Sequence, residues 1–550
     1  MDEVPWSQTD KTVIPPHALA HLPKYGSEKW EIAYKEPFGR CIVAKEDIGE
    51  GERLYADHPL VHGPKQISAL LCLGCYSQLY QEAYHPCSKC RWPLCSTECE
   101  LKGLHHLECS AFVSANYKLN LADFGEENPL YESILPLRCL MLRNTCPEKW
   151  KTLRAMEAHD EPRRGSELWN VEQKNVCEFL VKKLKMSVSD DLIHSVTGVL
   201  DVNCHEIQAG APDICNVRGL FPLSAMMSHD CYSNTHHTFT DDMTMIMVTS
   251  RPIKKGEQVT ATYTHLLSGT TERRKHLRYG KFFDCVCRRC SDPTELGTFF
   301  SALRCTQCGG PVLCKDPLHP NNTYRCTECG NEVPVGVVSR LTNSVYYELQ
   351  DADTGDPAAL EAIFNKYEKL FHRNHFHLIG LEHSLSQLYG RSPGYLISEL
   401  SNKQMDRKIE CCRHVLAVID VIDPGISRLR GLTKYELHAP LLMKANKEFQ
   451  LQHLTRREFV RQLQDVLQLL RDTSYCLQFE PASTHEGQLC QIARQSAGEL
   501  EQWICTVKQL PENNFLSESR YQINHDEESD SDCCIEDLSL EALLKKVESY

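Results

Sequence analysis

No stretch of this chain approaches the roughly 18 apolar residues that a membrane-crossing helix needs. Basic charge is not in excess either: 60 Lys and Arg stand against 74 Asp and Glu, for a net charge of −14. Binding along a phosphate backbone rests on clustered Lys and Arg, and no basic recognition helix is visible. A DNA-binding regulator is therefore disfavoured, and so is direct nucleic-acid binding. The opening MDEVPWSQTDKTVIPPH lacks the apolar core of a secretory signal; it is polar and acidic, with prolines. The expectation is a reducing compartment, cytoplasmic and/or nuclear, where disulfides are rare. No strict 34-residue repeat is visible. A hydrophobic fraction of 41% is too high for a mostly disordered chain. The 550 residues allow three to five domains at roughly 100–200 residues each.

What the chain has in plenty is cysteine, 29 in all, unevenly spread. Short-spaced cysteines in a reducing compartment read as metal ligands. The first group is Cys72-x2-Cys75, Cys87-x2-Cys90, Cys95-x3-Cys99 and His105-x3-Cys109. Seven thiols and one imidazole are enough for two tetrahedral zinc sites. A Cys-x2-Cys turn aims two thiolates at one ion, and the x3 spacings put two ligands on one helical face. His106 lies nearby, but the His-x3-Cys register favours His105. Farther on, Cys285-x-Cys287-x2-Cys290 supplies three thiolates and leaves one tetrahedral position open. Cys305-x2-Cys308 and Cys326-x2-Cys329 make a paired-knuckle ribbon closing over HPNN, with Cys314 a bystander inside it.

Between these groups the grammar alternates. Residues 1–27 read as a loosely ordered arm, and 28–66 as short strands and turns. Residues 115–200 read as helical, with VCEFLVKKLKM spaced at helical intervals. Residues 201–265 return to strands, with TMIMVTS and QVTATYT separated by the turn KKGE. TERRKHLRYGKFF is a charged helical segment, and Arg273, Arg274, Lys275 and His276 read as one solvated face of it. From 340 to 520 the chain is helical. Asp356-Pro357 makes a helix start, and Leu360, Ile363, Phe364, Tyr367, Leu370 and Phe371 form a core stripe, as do Leu489, Ile492, Ala493, Leu500, Trp503 and Ile504. A stack of αα-hairpins, loosely of the tetratricopeptide (TPR) type, is expected there. Residues 525–550 read as an acidic tail, and Cys533-Cys534 within it resemble no site.

Structural zinc does no chemistry, so function must come from elsewhere. Two segments carry it: Ser228-His229-Asp230-Cys231-Tyr232-Ser233-Asn234 and Gly256-Glu257-Gln258-Val259-Thr260-Ala261-Thr262-Tyr263. They resemble the NHSCxPN and GEELxxxY signatures of SET-domain protein-lysine methyltransferases. The order of strands, cysteine group, helical insert, strands and Cys-x-Cys-x2-Cys is similar to the SMYD family, in which a MYND zinc module interrupts the SET domain. The ribbon, the RSPG turn and ISRLRGLTKYELHAP (426–440) resemble its arthropod group. The implied fold class is α+β and multi-domain. A β-rich SET domain (28–66 and 201–265) is interrupted by a MYND module (72–109) and a helical insert (115–200). Post-SET zinc and a ribbon (276–335) and an all-helical TPR-like domain (340–520) follow.

The resemblance implies transfer of a methyl group from S-adenosylmethionine to a protein lysine, histone or non-histone, and a role as a chromatin regulator. Tyr263 would be the catalytic tyrosine and a cofactor contact. Gly39, Arg40, His159, Asn203, Ser228, His229 and Phe283 would meet the cofactor, and Cys231 would join Cys285, Cys287 and Cys290 as fourth ligand. About four zinc ions are implied. The implied partners are a protein substrate with a target lysine and a proline-containing peptide at the MYND module; no membrane is involved, and a monomer is expected. Three positions depart from the family pattern. Cys41 replaces the second glycine of the cofactor turn, Ser228 the asparagine of NHSC and Ser233 the proline of CxPN. Losing a hydrogen bond to a charged ligand group costs about 1.5–3 kcal/mol. These departures support the alternative of a catalytically weak or inactive SET/MYND scaffold that binds partners through the MYND module and the helical region.

Overall fold

The computed structural model describes residues 6, 28–80, 83–119, 128–207, 217–319 and 323–509. The expected arm (apart from Trp6) and the acidic tail with Cys533 and Cys534 lie outside the described residues. The chain forms two compact units. One comprises residues up to Thr264 together with Arg273–Cys285, and the other His265–Glu272 together with Val286 onward.

The first unit is built from short strands: β1 (Trp30–Lys35), β2 (Gly39–Ala44), β3 (Arg53–Asp57), β4 (Val61–Pro64), β5 (His85–Pro86), β6 (Pro93–Leu94), β7 (Cys204–Ile207), β8 (Val217–Leu220), β9 (Ser228–His229), β10 (Thr235–Phe239), β11 (Met245–Thr249) and β12 (Gln258–Ala261). They make three small sheets, ordered β1-β2-β12-β9, β10-β11-β3 and β4-β8-β7, plus the pair β5-β6. Alternation explains the strands: in β2, Ile42 and Ala44 enter the core on one face, and Val259 and Ala261 do the same from β12. TMIMVTS and QVTATYT thus become β11 and β12, joined by the KKGE turn as expected.

The core is shared with helices Leu130–Thr145 and Asp190–Asn203 through Ile134, Leu137, Val196 and Leu200. Helix Asp190–Asn203 starts where Ser189 Oγ accepts the Leu192 N–H at 3.3 Å, followed by two acidic residues that suit the positive helix end. The VCEFLVKKLKM segment differs from expectation. It runs as π-helical turns over Gln173–Cys177 and Phe179–Lys183, a wider winding than the α spacing suggests. Helix Thr270–Gly280 corrects a second expectation. Arg273 and Arg274 are buried in it, while Lys275 and His276 are exposed. Arg274 Nε donates to the Cys285 carbonyl at 3.1 Å, which satisfies a guanidinium that sequence alone assigned to solvent.

The second unit opens with a four-stranded sheet of β13 (Leu303–Arg304), β14 (Pro311–Cys314), β15 (Tyr324–Cys326) and β16 (Glu332–Val333), followed by helices from Val335 to Gln509. Asp356 caps helix Pro357–Tyr367 by accepting the Ala358 N–H at 2.9 Å, with proline at the first turn as expected. Leu360, Ile363, Phe364, Tyr367 and Phe371 are buried, and so are Leu489, Ala493, Leu500 and Ile504. Leu370, Ile492 and Trp503 pack at the core margins.

Candidate active site

The two signature segments meet through strand register. β9 lies parallel to β12, with Thr260 opposite Ser228 and Ala261 opposite His229. Two residues on, this places Tyr263 beside His229. The Tyr263 N–H donates to His229 Nδ1 at 3.0 Å, and the rings lie 5.2 Å apart. Asn234, the last residue of the first segment, locks the register. Its Nδ2 donates to the Gln258 carbonyl at 2.8 Å, and its Oδ1 accepts the Thr260 N–H at 2.8 Å. Thr235 Oγ1 adds a bond to the Thr260 carbonyl at 2.8 Å. Asn234 stands inside the first motif, yet residue order alone assigns it no role. An amide that both donates and accepts was the signal for a backbone clamp.

The Tyr263 phenol donates to the Met227 carbonyl. Burial pushes its pKa up, so the hydroxyl stays protonated across the physiological range. The His229 ring also faces Phe283 at 5.9 Å, and its Nε2 lies 3.2 Å from Cys231 Sγ. Below this group, Asp57 at the end of β3 accepts the N–H groups of Leu223 and Ser224 at 2.9 and 2.7 Å, holding the turn that leads into β9.

Three more of the expected cofactor residues, Arg40, Asn203 and His159, meet around residues 155–159. One Arg40 guanidinium nitrogen donates to the Ala155 carbonyl at 2.6 Å, and Asn203 Nδ2 donates to the Glu157 carbonyl at 3.2 Å. His159 follows in a left-handed conformation, its ring 5.3 Å from Phe282, the neighbour of Phe283. Gly39 leaves open space: a Cβ built there would meet nothing within 4 Å. Ser228 Oγ is buried without a hydrogen-bond partner, a hydroxyl available to a bound group. Cys41 is fully buried in β2 opposite Ala33, so its side chain is taken into the protein rather than exposed at the site.

The cysteine groups resolve into ligand sets. Cys72, Cys75, Cys95 and Cys99 converge on one point, and Cys87, Cys90, His105 and Cys109 on another; within each set all ligand atoms lie within 4.8 Å of one another. The pairs therefore interleave along the chain, an arrangement that spacing alone left open. Sulfur separations of 3.5 Å for Cys75–Cys95 and 3.7 Å for Cys87–Cys109 approach the ~3.8 Å edge of a tetrahedron with zinc–sulfur bonds of about 2.3 Å. His105, not His106, faces its set, with Nε2 3.1 Å from Cys90 Sγ. Its Nδ1 meets Glu108 at 3.1 Å, and Glu108 in turn takes two bonds from Arg138 at 2.8 and 2.9 Å. This buried relay fixes the tautomer that leaves Nε2 for a metal.

In the second unit Cys305, Cys308, Cys326 and Cys329 converge likewise, with sulfurs 3.6 and 3.5 Å apart across the two knuckles. Gly309 and Gly330 hold positive φ angles of 82° and 74° there, turning the chain tightly behind each cysteine pair. In the first unit Cys231 Sγ lies 4.0 Å from Cys285 Sγ. Cys287 and Cys290 follow along the chain within five residues of Cys285.

The SET domain family matches residues 39–264, a span that holds the site apart from Phe282, Phe283, Cys285, Cys287, Cys290 and the ribbon cysteines. Among curated proteins, the Drosophila melanogaster "SET domain-containing protein SmydA-8, isoform A" is 32% identical over 313 residues, covering 56% of this chain and 66% of that protein. The chain belongs to the SMYD family, on its SmydA-like side. Another member, the Homo sapiens "N-lysine methyltransferase SMYD2", is 27% identical over 233 residues, covering 40% of this chain and 50% of its own. The chain thus spans about two thirds of the length of the SmydA-8 relative and half of SMYD2. A solved structure, the SET domain of LSMT bound to lysine and AdoHcy, covers 90% of this chain and 94% of its own at 12% identity and a TM-score of 0.28. No helix among the described residues is long and apolar enough to cross a membrane.

Proposed function

We propose that this SMYD-family chain is a protein-lysine methyltransferase that uses S-adenosylmethionine. The observation that carries the reading is the β9–β12 register, which sets the half-buried Tyr263 phenol at the Met227 carbonyl beside His229 and an unsatisfied Ser228 hydroxyl. Gly39, with open space above it, and Ser228, with an unused hydroxyl, fit a polar cofactor. Arg40, Asn203 and His159 shape the wall formed by residues 155–159, and His229 and Phe283 supply ring faces. When bound, the cofactor supplies an activated methyl group. Tyr263 orients the acceptor amine, and its protonated phenol keeps anionic charge away from the transfer path. Holding amine and methyl in line at about 3 Å supplies much of the rate through proximity. The acceptor amine must arrive neutral, and desolvation in this buried site favours that form.

The same proposal covers organisation. Residues 72–109 act as the MYND module and hold a short proline-containing peptide, and the helices from Val335 onward form a TPR-like surface. Two zinc ions sit in the interleaved sets and one in the ribbon. A fourth is held by Cys231 and Cys285 with Cys287 and Cys290, which sequence spacing adds to the pair. We place the protein in the cytoplasm and/or nucleus, as a monomer. Calorimetric titration with S-adenosylmethionine tests the reading, together with transfer of labelled methyl to core histones by the natural chain and by Tyr263→Phe. Binding, with turnover reduced at least tenfold in Tyr263→Phe, supports the enzyme. No binding at millimolar cofactor returns the chain to the scaffold alternative, which the Arg40 and Asn203 side chains, both engaged with backbone carbonyls, would suit.

A further inference from the structure

The site contains a lysine of its own. Lys281 Nζ lies over the Tyr263 ring, 6.0 Å from its centroid. The ammonium donates to the carbonyls of Asp201 and Val202 at 3.2 and 2.6 Å, in the last turn of helix Asp190–Asn203. That is the negative end of the helix, which anchors a cation and favours its protonated form. Burial acts in the opposite direction and lowers the Lys281 pKa. The charged and titratable groups facing it are Asp201, Cys204, His205, Arg218 and Tyr263. Burial pushes the Asp201 carboxyl up to about 7, and it is already met by Arg163 at 2.9 Å and Arg218 at 3.3 Å. Burial holds His205 down to about 3, pushes the Cys204 thiol up to about 12 and keeps the Tyr263 phenol protonated, so all three are neutral near pH 7. Asp201 is the one group of this set that carries negative charge near pH 7, and it is shared with two arginines.

We propose that Lys281 is a positioning residue whose fixed positive charge beside Tyr263 disfavours the protonated form of an incoming substrate lysine and so delivers it as the neutral nucleophile. This rests on the methyltransferase reading above. The phenol oxygen lies about 3 Å from the ring centre, so an amine arriving there stands roughly 6–9 Å from Lys281 Nζ. At an effective dielectric of about 20–40, two like charges at that distance lower the acceptor pKa by about one unit. The acceptor ammonium first gives its proton to solvent. The nitrogen lone pair then forms the N–CH3 bond while the S–CH3 bond breaks, its electron pair remaining on sulfur.

The experiment measures the pH–rate profile of the full-length protein from pH 6 to 10, with labelled S-adenosylmethionine and core histones as acceptor, for the natural chain, Lys281→Met and Lys281→Arg. The Met variant is expected to shift the rising limb about one unit toward alkali. Its rate should fall roughly tenfold near pH 7 and little at pH 10, and Arg should restore the profile. Calorimetry with S-adenosylmethionine separates helix capping from amine delivery, because cofactor affinity of Lys281→Met should stay within about threefold of the natural chain. A Met profile that superimposes on the natural one after scaling overturns the proposal and leaves Lys281 a helix cap. Absence of transfer by the natural chain at every pH overturns the methyltransferase reading itself, and this proposal with it.

Discussion

Replacing Asn234 with alanine should loosen the joint that aligns the two signature segments. Asn234 is 1% exposed, and it serves both the Gln258 carbonyl and the Thr260 N–H. Truncation strands these two backbone groups next to the core. The amide suffers more, because Thr260 N–H has one hydrogen to place, whereas the carbonyl keeps a second lone pair. A buried group left unsatisfied costs about 1–3 kcal/mol, so the pair should cost about 2–4 kcal/mol. Hydrogen exchange by mass spectrometry on peptides spanning 258–264 reads this locally, without assuming that a chain of two units unfolds in one step. At 1.36 kcal/mol per factor of ten, exchange there should accelerate roughly 30- to 1,000-fold. The ribbon around Cys305–Cys329, in the other unit, should be unaffected. Methyl transfer should fall with it, because the same register places Tyr263 at His229. An acceleration below about fivefold would refute the claim that Asn234 holds this pairing.

Zinc content, measured by plasma mass spectrometry, should be about four ions per chain and should fall by one in His105→Ala. Glu108→Ala should keep all the ligands yet weaken that site about 10–100-fold in chelator competition, because the His105 ring loses its anchor. Arg138→Met should destabilise by about 3–5 kcal/mol in denaturant titration, since it leaves the Glu108 carboxylate buried without its guanidinium. In the helical unit, burial holds His438 down to about 4, against an ordinary value near 6.5. The fold then binds fewer protons than the unfolded chain between about pH 6.5 and 4. The effect is absent above pH 6.5, where the ring is neutral in both states, and it destabilises the fold progressively as pH falls toward 4, by up to about 3 kcal/mol. The natural chain minus His438→Gln, compared across that pH range, isolates the effect; a flat difference would discount it.

Much of this molecule was legible from residue order because its chemistry is local. Cys-x2-Cys, His105-x3-Cys109 and Asp356-Pro357 act over one turn of chain, so spacing alone reveals them. The two signature segments stood out by their resemblance to a family pattern, and the structure pairs them as β9 and β12. Geometry over longer range was not legible. The pairing of Cys72 and Cys75 with Cys95 and Cys99, and of Cys87 and Cys90 with His105 and Cys109, depends on how the chain folds back between β5 and β6. The burial of Arg273 and Arg274, read as solvated, turned on partners such as the Cys285 carbonyl that no periodicity displays.

Residue order thus marked which atoms can hold metal, because ligand type and turn geometry are properties of a few adjacent residues. The tertiary structure alone decided which ligands share an ion, that Asn234 clamps β12, and that Lys281 stands over Tyr263. These are meetings of groups tens of residues apart. They depend on packing and strand register, in which a shift of one residue would turn every side chain to the other face.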